Sequence, residues 1–167
     1  MTTAKGSLFK DMPHEDQPHE NRPHEDTMTG QAHPTTSLTR TGLIVAAVMN
    51  IGGVLVFSRL FTNVAITQAD PGALSTFGLI MIVVWGFAYL GAAAAPTNIR
   101  WLAGAFAVEK LVYVVNWAVW MSRNSLAALY ATDRFAGAFY SIYGLNDFVF
   151  LLFFSWIFIS QRAKNHA

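Results

Sequence analysis

Four long apolar runs follow a polar N-terminal stretch. They cover about residues 42–61, 77–95, 101–121 and 137–160. Each run is close to the ~20 residues that an α-helix needs to cross a hydrocarbon layer of ~30 Å. Because the runs lack the apolar and polar alternation of barrel strands, helices are the structures that satisfy their backbones in lipid. The pattern predicts an all-α integral membrane protein, with a four-helix bundle over residues 41–167.

Residues 1–40 have neither helical nor strand periodicity, and they contain a short tandem repeat. It reads PHEDQ at 13–17, PHENR at 18–22 and PHEDT at 23–27. A proline at every fifth position disfavours helix, and the segment has little apolar surface to bury. We therefore expect a disordered polar tail. A solvating linker is the simpler interpretation of the repeat, and the alternative is a weak divalent-metal site on His14, His19 and His24.

Two connections between the runs carry local signals. Asp70-Pro71-Gly72 indicates a turn between the first and second runs. In the 122–136 connection, four residues at i, i+3, i+4 and i+7 predict a short amphipathic helix at the membrane interface, begun by Ser125. These four are Leu126, Leu129, Tyr130 and Asp133. A plain loop is the alternative.

Lysine and arginine near the helix ends predict the orientation. Four of these residues lie on the side of the chain termini: Arg40, Arg100, Arg162 and Lys164. Arg123 and Arg134 lie on the other side, and Arg59 lies just inside the first run. The excess predicts that both termini are cytoplasmic.

Composition agrees with a membrane protein and excludes several kinds of chemistry. Hydrophobic residues make up 53% of the chain and charged residues 13%, where soluble domains have about 25% charged residues. The absence of cysteine excludes disulfides, iron–sulfur ligation and thiol nucleophiles. All five histidines lie in the tails, so the apolar part has no axial ligands for haem. No basic patch of the kind that binds nucleic acid is present. We predict no cofactor and no nucleic-acid partner.

Several polar residues interrupt the apolar runs at one depth. A charge at the centre of a bilayer costs ~2.5–3.5 kcal/mol, so such residues need partners. At a rise of ~1.5 Å per residue, all four of Asn50, Glu109, Lys110 and Asp147 fall near the midplane. Helical spacing adds neighbours on the same faces. The predicted ligand or proton site consists of Asn50, Glu109, Lys110, Tyr113, Asn116, Tyr143 and Asp147.

The alternative is that this polar layer only holds helices together. Lys110 would pair with Asp147, and Glu109 would bond Asn50 or Tyr143, each pair contributing ~0.6–2 kcal/mol. The second helix has no ionisable group, and we expect it to close the bundle.

The charge balance of the layer leads to a further hypothesis. Two carboxylates and one ammonium leave a net negative charge, which is unfavourable in a low dielectric. Arg59 lies near the end of its helix and faces away from Asn50, so we expect it to reach the interface instead. One carboxyl, that of Glu109 or Asp147, would then hold a proton near neutral pH.

Four short segments resemble the BphX-like group of small bacterial membrane proteins. These are FTN at 61–63, WGFAY at 85–89, EKLVY at 109–113 and YGLND at 143–147. The resemblance covers about residues 41–160. It implies an accessory protein of the kind found in aromatic-degradation operons, with no assigned chemistry.

These features predict a small multi-pass inner-membrane protein with an accessory or binding role. Its polar cluster would bind a small hydrophobic or aromatic molecule, or protons. The alternatives are a proton-coupled transporter or permease subunit that acts as a homo-oligomer, and a purely structural membrane subunit. An enzyme using Glu109 and Asp147 as an acid and base pair is disfavoured, because no nucleophile, metal cluster or cofactor motif accompanies them. The expected partners are the lipid bilayer and a homo-oligomer or larger membrane complex.

Overall fold

The computed structural model describes residues 36–96 and 98–163. This part of the chain is all-helical and contains six helices. They are α1 (Ser37–Phe57), α2 (Val64–Ala69), α3 (Thr76–Ala94), α4 (Arg100–Arg123), α5 (Leu126–Thr132) and α6 (Arg134–Ala163). The repeats of the tail, with His14, His19 and His24, lie outside the described residues, so the metal-site prediction stays a prediction.

Four of these helices, α1, α3, α4 and α6, are long and apolar enough to cross a membrane. Large apolar side chains cover their outer faces, for example Val48, Phe87, Val112 and Phe148, each at least 46% exposed. Exposed apolar surface of this extent is typical of helices that lie in lipid. The four predicted spans are therefore confirmed as helices, and the chain has the character of a multi-pass membrane protein.

The first span ends earlier than the sequence predicts. Arg59, Leu60 and Phe61 have φ values of 51°, 57° and 68°, in the left-handed region that side chains with a Cβ disfavour. The Ser58 hydroxyl accepts a hydrogen bond from the amide of Phe61 at 2.9 Å and so supports this turn. The predicted end at residue 61 is wrong, because α1 ends at Phe57 and the backbone of residues 59–61 is left-handed.

The connections contain one predicted and one unpredicted helix. Helix α5 begins where expected, with the Ser125 hydroxyl accepting from the amide of Ala128. Asp70 makes the predicted turn, since its side chain accepts from the amide of Ala73 at 3.0 Å. Helix α2 was not predicted. Its cap is Asn63, whose side chain accepts from the amide of Ala65.

The long helices pack as two antiparallel pairs, α1 with α3 and α4 with α6, and α1 also contacts α6. Small residues allow the close approaches: Gly86 faces Ile51 on α1, and Gly144 faces the Trp117 ring on α4. Helices α2 and α5 lie at the end of the bundle that we call the loop end. The opposite end, where α1 begins and α6 ends, we call the terminal end.

Two apolar clusters fill the interior. The terminal-end cluster includes Leu43, Phe106 and Phe154, and the loop-end cluster includes Val54, Trp120 and Tyr140. Four of the predicted polar residues, Asn50, Glu109, Lys110 and Asp147, lie between these clusters, whereas Tyr143 belongs to the loop-end cluster. The fold thus holds the charged side chains of the site in the middle of the bundle.

Candidate functional site

Lys110 lies at the centre of the polar cluster and is only 1% exposed. Its ammonium donates to Asp147 Oδ1 at 2.7 Å and to Asn50 Oδ1 at 3.0 Å. These bonds join α4 to α6 and to α1. The predicted convergence of Lys110, Asp147 and Asn50 is therefore confirmed. A buried ammonium has three donors to satisfy, and two of them are accounted for here.

Glu109 bonds to α3, a helix for which we predicted no site residue. Its Oε2 accepts from the hydroxyl of Tyr89 on α3 at 2.6 Å, and its Oε1 lies 3.7 Å from the Lys110 ammonium. The expectation that Glu109 bonds Asn50 or Tyr143 is wrong. The Asn50 oxygen is taken by Lys110, and its amide nitrogen donates to the Ile82 carbonyl at 3.1 Å.

Sequence reasoning missed Tyr89 as a site residue, although a signal was present. The buried face of α3 carries Leu79, Ile82, Gly86 and Tyr89, at successive spacings of three or four residues. Tyr89 is fully buried, and its ring also faces the Lys110 ammonium, 5.6 Å from the ring centroid. A tyrosine on the buried face of a span, level with a carboxylate, is a natural partner for it. Helix α3 therefore packs against α1 and also supplies a hydrogen-bond donor to Glu109 on α4.

The cluster holds two carboxylates and one ammonium. Both carboxylate side chains are at most 9% exposed, and Glu109 Oε1 has no hydrogen bond to any residue that the structure describes. Arg59 does not add a second cation, because it forms an ion pair with Asp133 at 3.1 Å near the loop end. With every group ionised, the interior would carry a net charge of −1.

A crevice between α1 and α6 reaches the cluster. Its volume is about 40 Å³, and its polar lining comprises Asn50, Tyr143, Asn146 and Asp147. Asn146 also donates to Asp147 Oδ1 at 3.3 Å. A water molecule occupies about 30 Å³ of liquid, while a cavity of about 150 Å³ binds benzene. The crevice therefore has room for water beside Asp147 and not for an aromatic molecule.

Asn116 and Tyr143 lie nearer the loop end than the ion pairs. Asn116 donates to Asp70 Oδ2 at 2.6 Å rather than to a member of the cluster. The Tyr143 hydroxyl has no hydrogen bond to any residue that the structure describes, and Tyr143 lines the crevice beside Asp147. Tyr113 lies one turn along α4 from Glu109 and packs against the loop-end cluster. The predicted set is thus divided into a central cluster and a line of groups leading to Asp70.

Nothing in the described part of the chain gathers three or more histidine, aspartate or glutamate side chains in a way that would hold a metal ion. The central cluster instead offers proton donors and acceptors on four helices. Hydrogen-bonded carboxyl, amine and phenol groups in a low dielectric can bind a proton and move it between neighbours.

No protein-family model matches the chain, and no curated protein or solved structure is significantly similar to it.

Proposed function

We propose that this chain is a multi-pass inner-membrane protein with an accessory role, whose interior cluster binds and releases one proton. The observation that carries the proposal is the imbalance of buried charge. Glu109 and Asp147 both face the single ammonium of Lys110, at 3.7 and 2.7 Å. A net negative charge in a low dielectric is costly, and one proton shared by the two carboxyls removes it.

The two carboxyls have different roles in this proposal. Asp147 has the shorter contact with Lys110 and a further hydrogen bond from Asn146, so it is the better stabilised anion. Glu109 has a phenol donor and a longer contact with the ammonium, so the proton resides on Glu109 at rest. Asp147 lines the crevice beside Tyr143 and is the carboxyl at which a proton enters or leaves the cluster.

The size of the crevice favours protons over an aromatic ligand, the other prediction from the sequence. At about 40 Å³, it would have to open before such a molecule could touch Asp147. The likeness of the short motifs to BphX-like proteins supports an accessory role in a bacterial inner membrane. The excess of lysine and arginine on the side of the chain termini supports a cytoplasmic location for both termini. Transport coupled to the proton, in a homo-oligomer, would build on the same site.

A purely structural role is the second candidate, and one observation favours it. The Lys110 ammonium bonds to residues of two other helices, Asn50 and Asp147, as a group that only fixes helix packing would. In that case no proton is exchanged near neutral pH.

A differential titration separates the two candidates. Proton uptake of the purified protein is measured between about pH 5 and pH 9, a range that brackets neutral pH. The wild type is expected to take up one more proton per chain than Glu109→Gln. In this variant the positive charge of Lys110 and the negative charge of Asp147 already cancel. Asp133→Asn is the control, because its carboxyl is ionised throughout this range, and it should titrate as the wild type does. Identical curves for the wild type and Glu109→Gln would instead support the structural role.

A further inference from the structure

We propose that protons reach the central carboxyls from the loop end only, along a line of side chains formed by Asp70, Asn116 and Tyr143. This inference rests on the proton site proposed above. It assigns a function to Asp70, which the sequence indicates only as a turn residue. It also explains why Asn116 and Tyr143 are polar although they bond to none of the central charges.

The line begins at Asp70, between α2 and α3 at the loop end, where its side chain is partly exposed. One carboxylate oxygen accepts from the amide of Ala73 at 3.0 Å, and the other accepts from Asn116 Nδ2 at 2.6 Å. The carboxylate thus faces the surface on one side and the interior of the bundle on the other. Asp70 can therefore accept protons from water at the surface, where the line begins.

Two phenols continue the line inwards. Tyr140 is fully buried and Tyr143 is 7% exposed, and neither hydroxyl has a hydrogen bond to any residue that the structure describes. The two rings lie 5.4 Å apart, and Tyr143 lines the same crevice as Asp147. Buried hydroxyls almost always have partners, and ordered water bridges those that side chains leave apart. Water between these groups would complete a connection from Asp70 to Asp147.

The other half of the bundle has no such line. Beyond Glu109, towards the terminal end, Tyr89, Phe106 and Phe154 pack ring against ring with centroids 4.7 to 5.3 Å apart. Among the described residues of that half, Thr39 is buried and bonds to Thr36, the N-cap of α1, and Gln161 Oε1 is a buried oxygen near the end of α6. A layer of packed rings gives a proton no acceptor, so access is one-sided.

The transfer moves one proton and no electrons. A hydronium ion protonates the Asp70 carboxylate and becomes water. The Asp70 carboxyl then gives this proton to a bridging water and returns to carboxylate, and that water protonates the Tyr143 oxygen. The Tyr143 hydroxyl releases its own proton through a second water to the Asp147 carboxylate, which becomes the carboxylic acid. The titratable or polar groups around Asp147 come from α1, α3, α4 and α6. They are Asn50, Tyr89, Glu109, Lys110, Tyr113, Tyr143 and Asn146.

The test is the rate at which the infrared carboxyl band changes after a pH step, measured on full-length protein in detergent. Asn116→Leu and Tyr143→Phe remove links of the line and should slow the change by about a hundredfold, within the range of positioned proton-transfer groups. Both should leave the final amplitude unchanged. Asn116→Ser replaces the amide with a hydroxyl, which can still donate a hydrogen bond, and it should retain a rate close to the wild type. Tyr130→Phe removes a hydroxyl that bonds Ser141 on the exposed surface, and it is the matched control.

A second measurement tests the sidedness in vesicles that hold the protein in one orientation. A pH step on the loop-end side should change the band, and a step on the terminal side should not. A response to the terminal side, or wild-type rates in Asn116→Leu and Tyr143→Phe, would overturn the route while leaving the proton site in place. A wild type whose carboxyl band does not respond to pH at all would overturn the proton site itself.

Discussion

Lys110 is the residue on which the interior depends most, because it touches every other charge there. Its ammonium lies within 3.0 Å of oxygens from two other helices and 3.7 Å from its own neighbour Glu109. Buried ion pairs contribute little net stability compared with apolar residues, but removing one member leaves an uncompensated charge. The neutral form of the cluster thus needs this one cation.

Replacing Lys110 with methionine is expected to lower the free energy of unfolding by about 3–5 kcal/mol. The measurement is equilibrium unfolding in detergent. Adding Asp147→Asn to this variant should recover part of the loss, because one carboxyl fewer then has to take up a proton to stay neutral in the interior. Arg123→Met, at the exposed end of α4, is the control and should change stability by less than about 0.5 kcal/mol. A Lys110→Met protein as stable as the wild type would contradict the central place of this ammonium.

Single residues also show where sequence reasoning succeeds. Depth along a helix follows from the rise per residue, so Asn50, Lys110 and Asp147 could be placed at one level from the sequence. The choice of partners could not be predicted, because it depends on how each helix is rotated in the bundle. Glu109 therefore bonds Tyr89 rather than either partner that the sequence indicated.

At the scale of the helices, close packing of α4 against α6 depends on a glycine. A Cβ at Gly144 would overlap the indole ring of Trp117, whereas a Cβ at Gly52 would meet no heavy atom within 4 Å. Gly144→Ala should therefore destabilise the protein by about 1–3 kcal/mol, the usual cost of overpacking. Gly52→Ala should be neutral or slightly stabilising, since alanine favours helix. Equal thermal stabilities of the two variants would contradict this packing.

The start of α6 gives a pH-dependent prediction. Hydrogen bonds from the Ala136 amide and the Asn63 side chain, with the positive charge of Arg59, hold the pKa of Asp133 below its ordinary value. A lowered pKa contributes stability above the unfolded value of about 4, which is lost as the pH falls through the lower folded value. Unfolding curves on acidification should therefore show a loss for the wild type that is reduced in Asp133→Asn. The same acid dependence in both proteins would contradict the assignment.

The boundaries of the helices mark the limits of pattern reasoning. Hydrophobic runs located all four spans, but the end of α1 depends on backbone angles at Arg59, Leu60 and Phe61 that no propensity indicates. Helix α2 has only six residues, and it could not be predicted because it lies in a connection whose composition is typical of turns. Short helices are stabilised by tertiary contacts, here at the buried Ile66, more than by their own sequence.

At the scale of the whole molecule, the bundle is divided by its polar layer. The terminal-end half is packed with aromatic rings, while the loop-end half contains phenols, amides and a partly exposed carboxylate. The sequence could predict that a polar layer exists, since its cost in lipid demands partners. It could not predict the difference between the halves, because that difference arises from which faces of α4 and α6 meet.

The claim that the interior cluster holds one proton is tested by the number of protonated carboxyl groups per chain near neutral pH. This number is counted by infrared spectroscopy. Charge balance predicts one carboxylic acid in the wild type, because Lys110 neutralises only one of the two anions. It predicts none in Glu109→Gln or in Asp147→Asn, where a single anion remains, and two in Lys110→Met. A wild type in which both carboxyls are ionised, or an acid that persists in both single carboxyl variants, would contradict it.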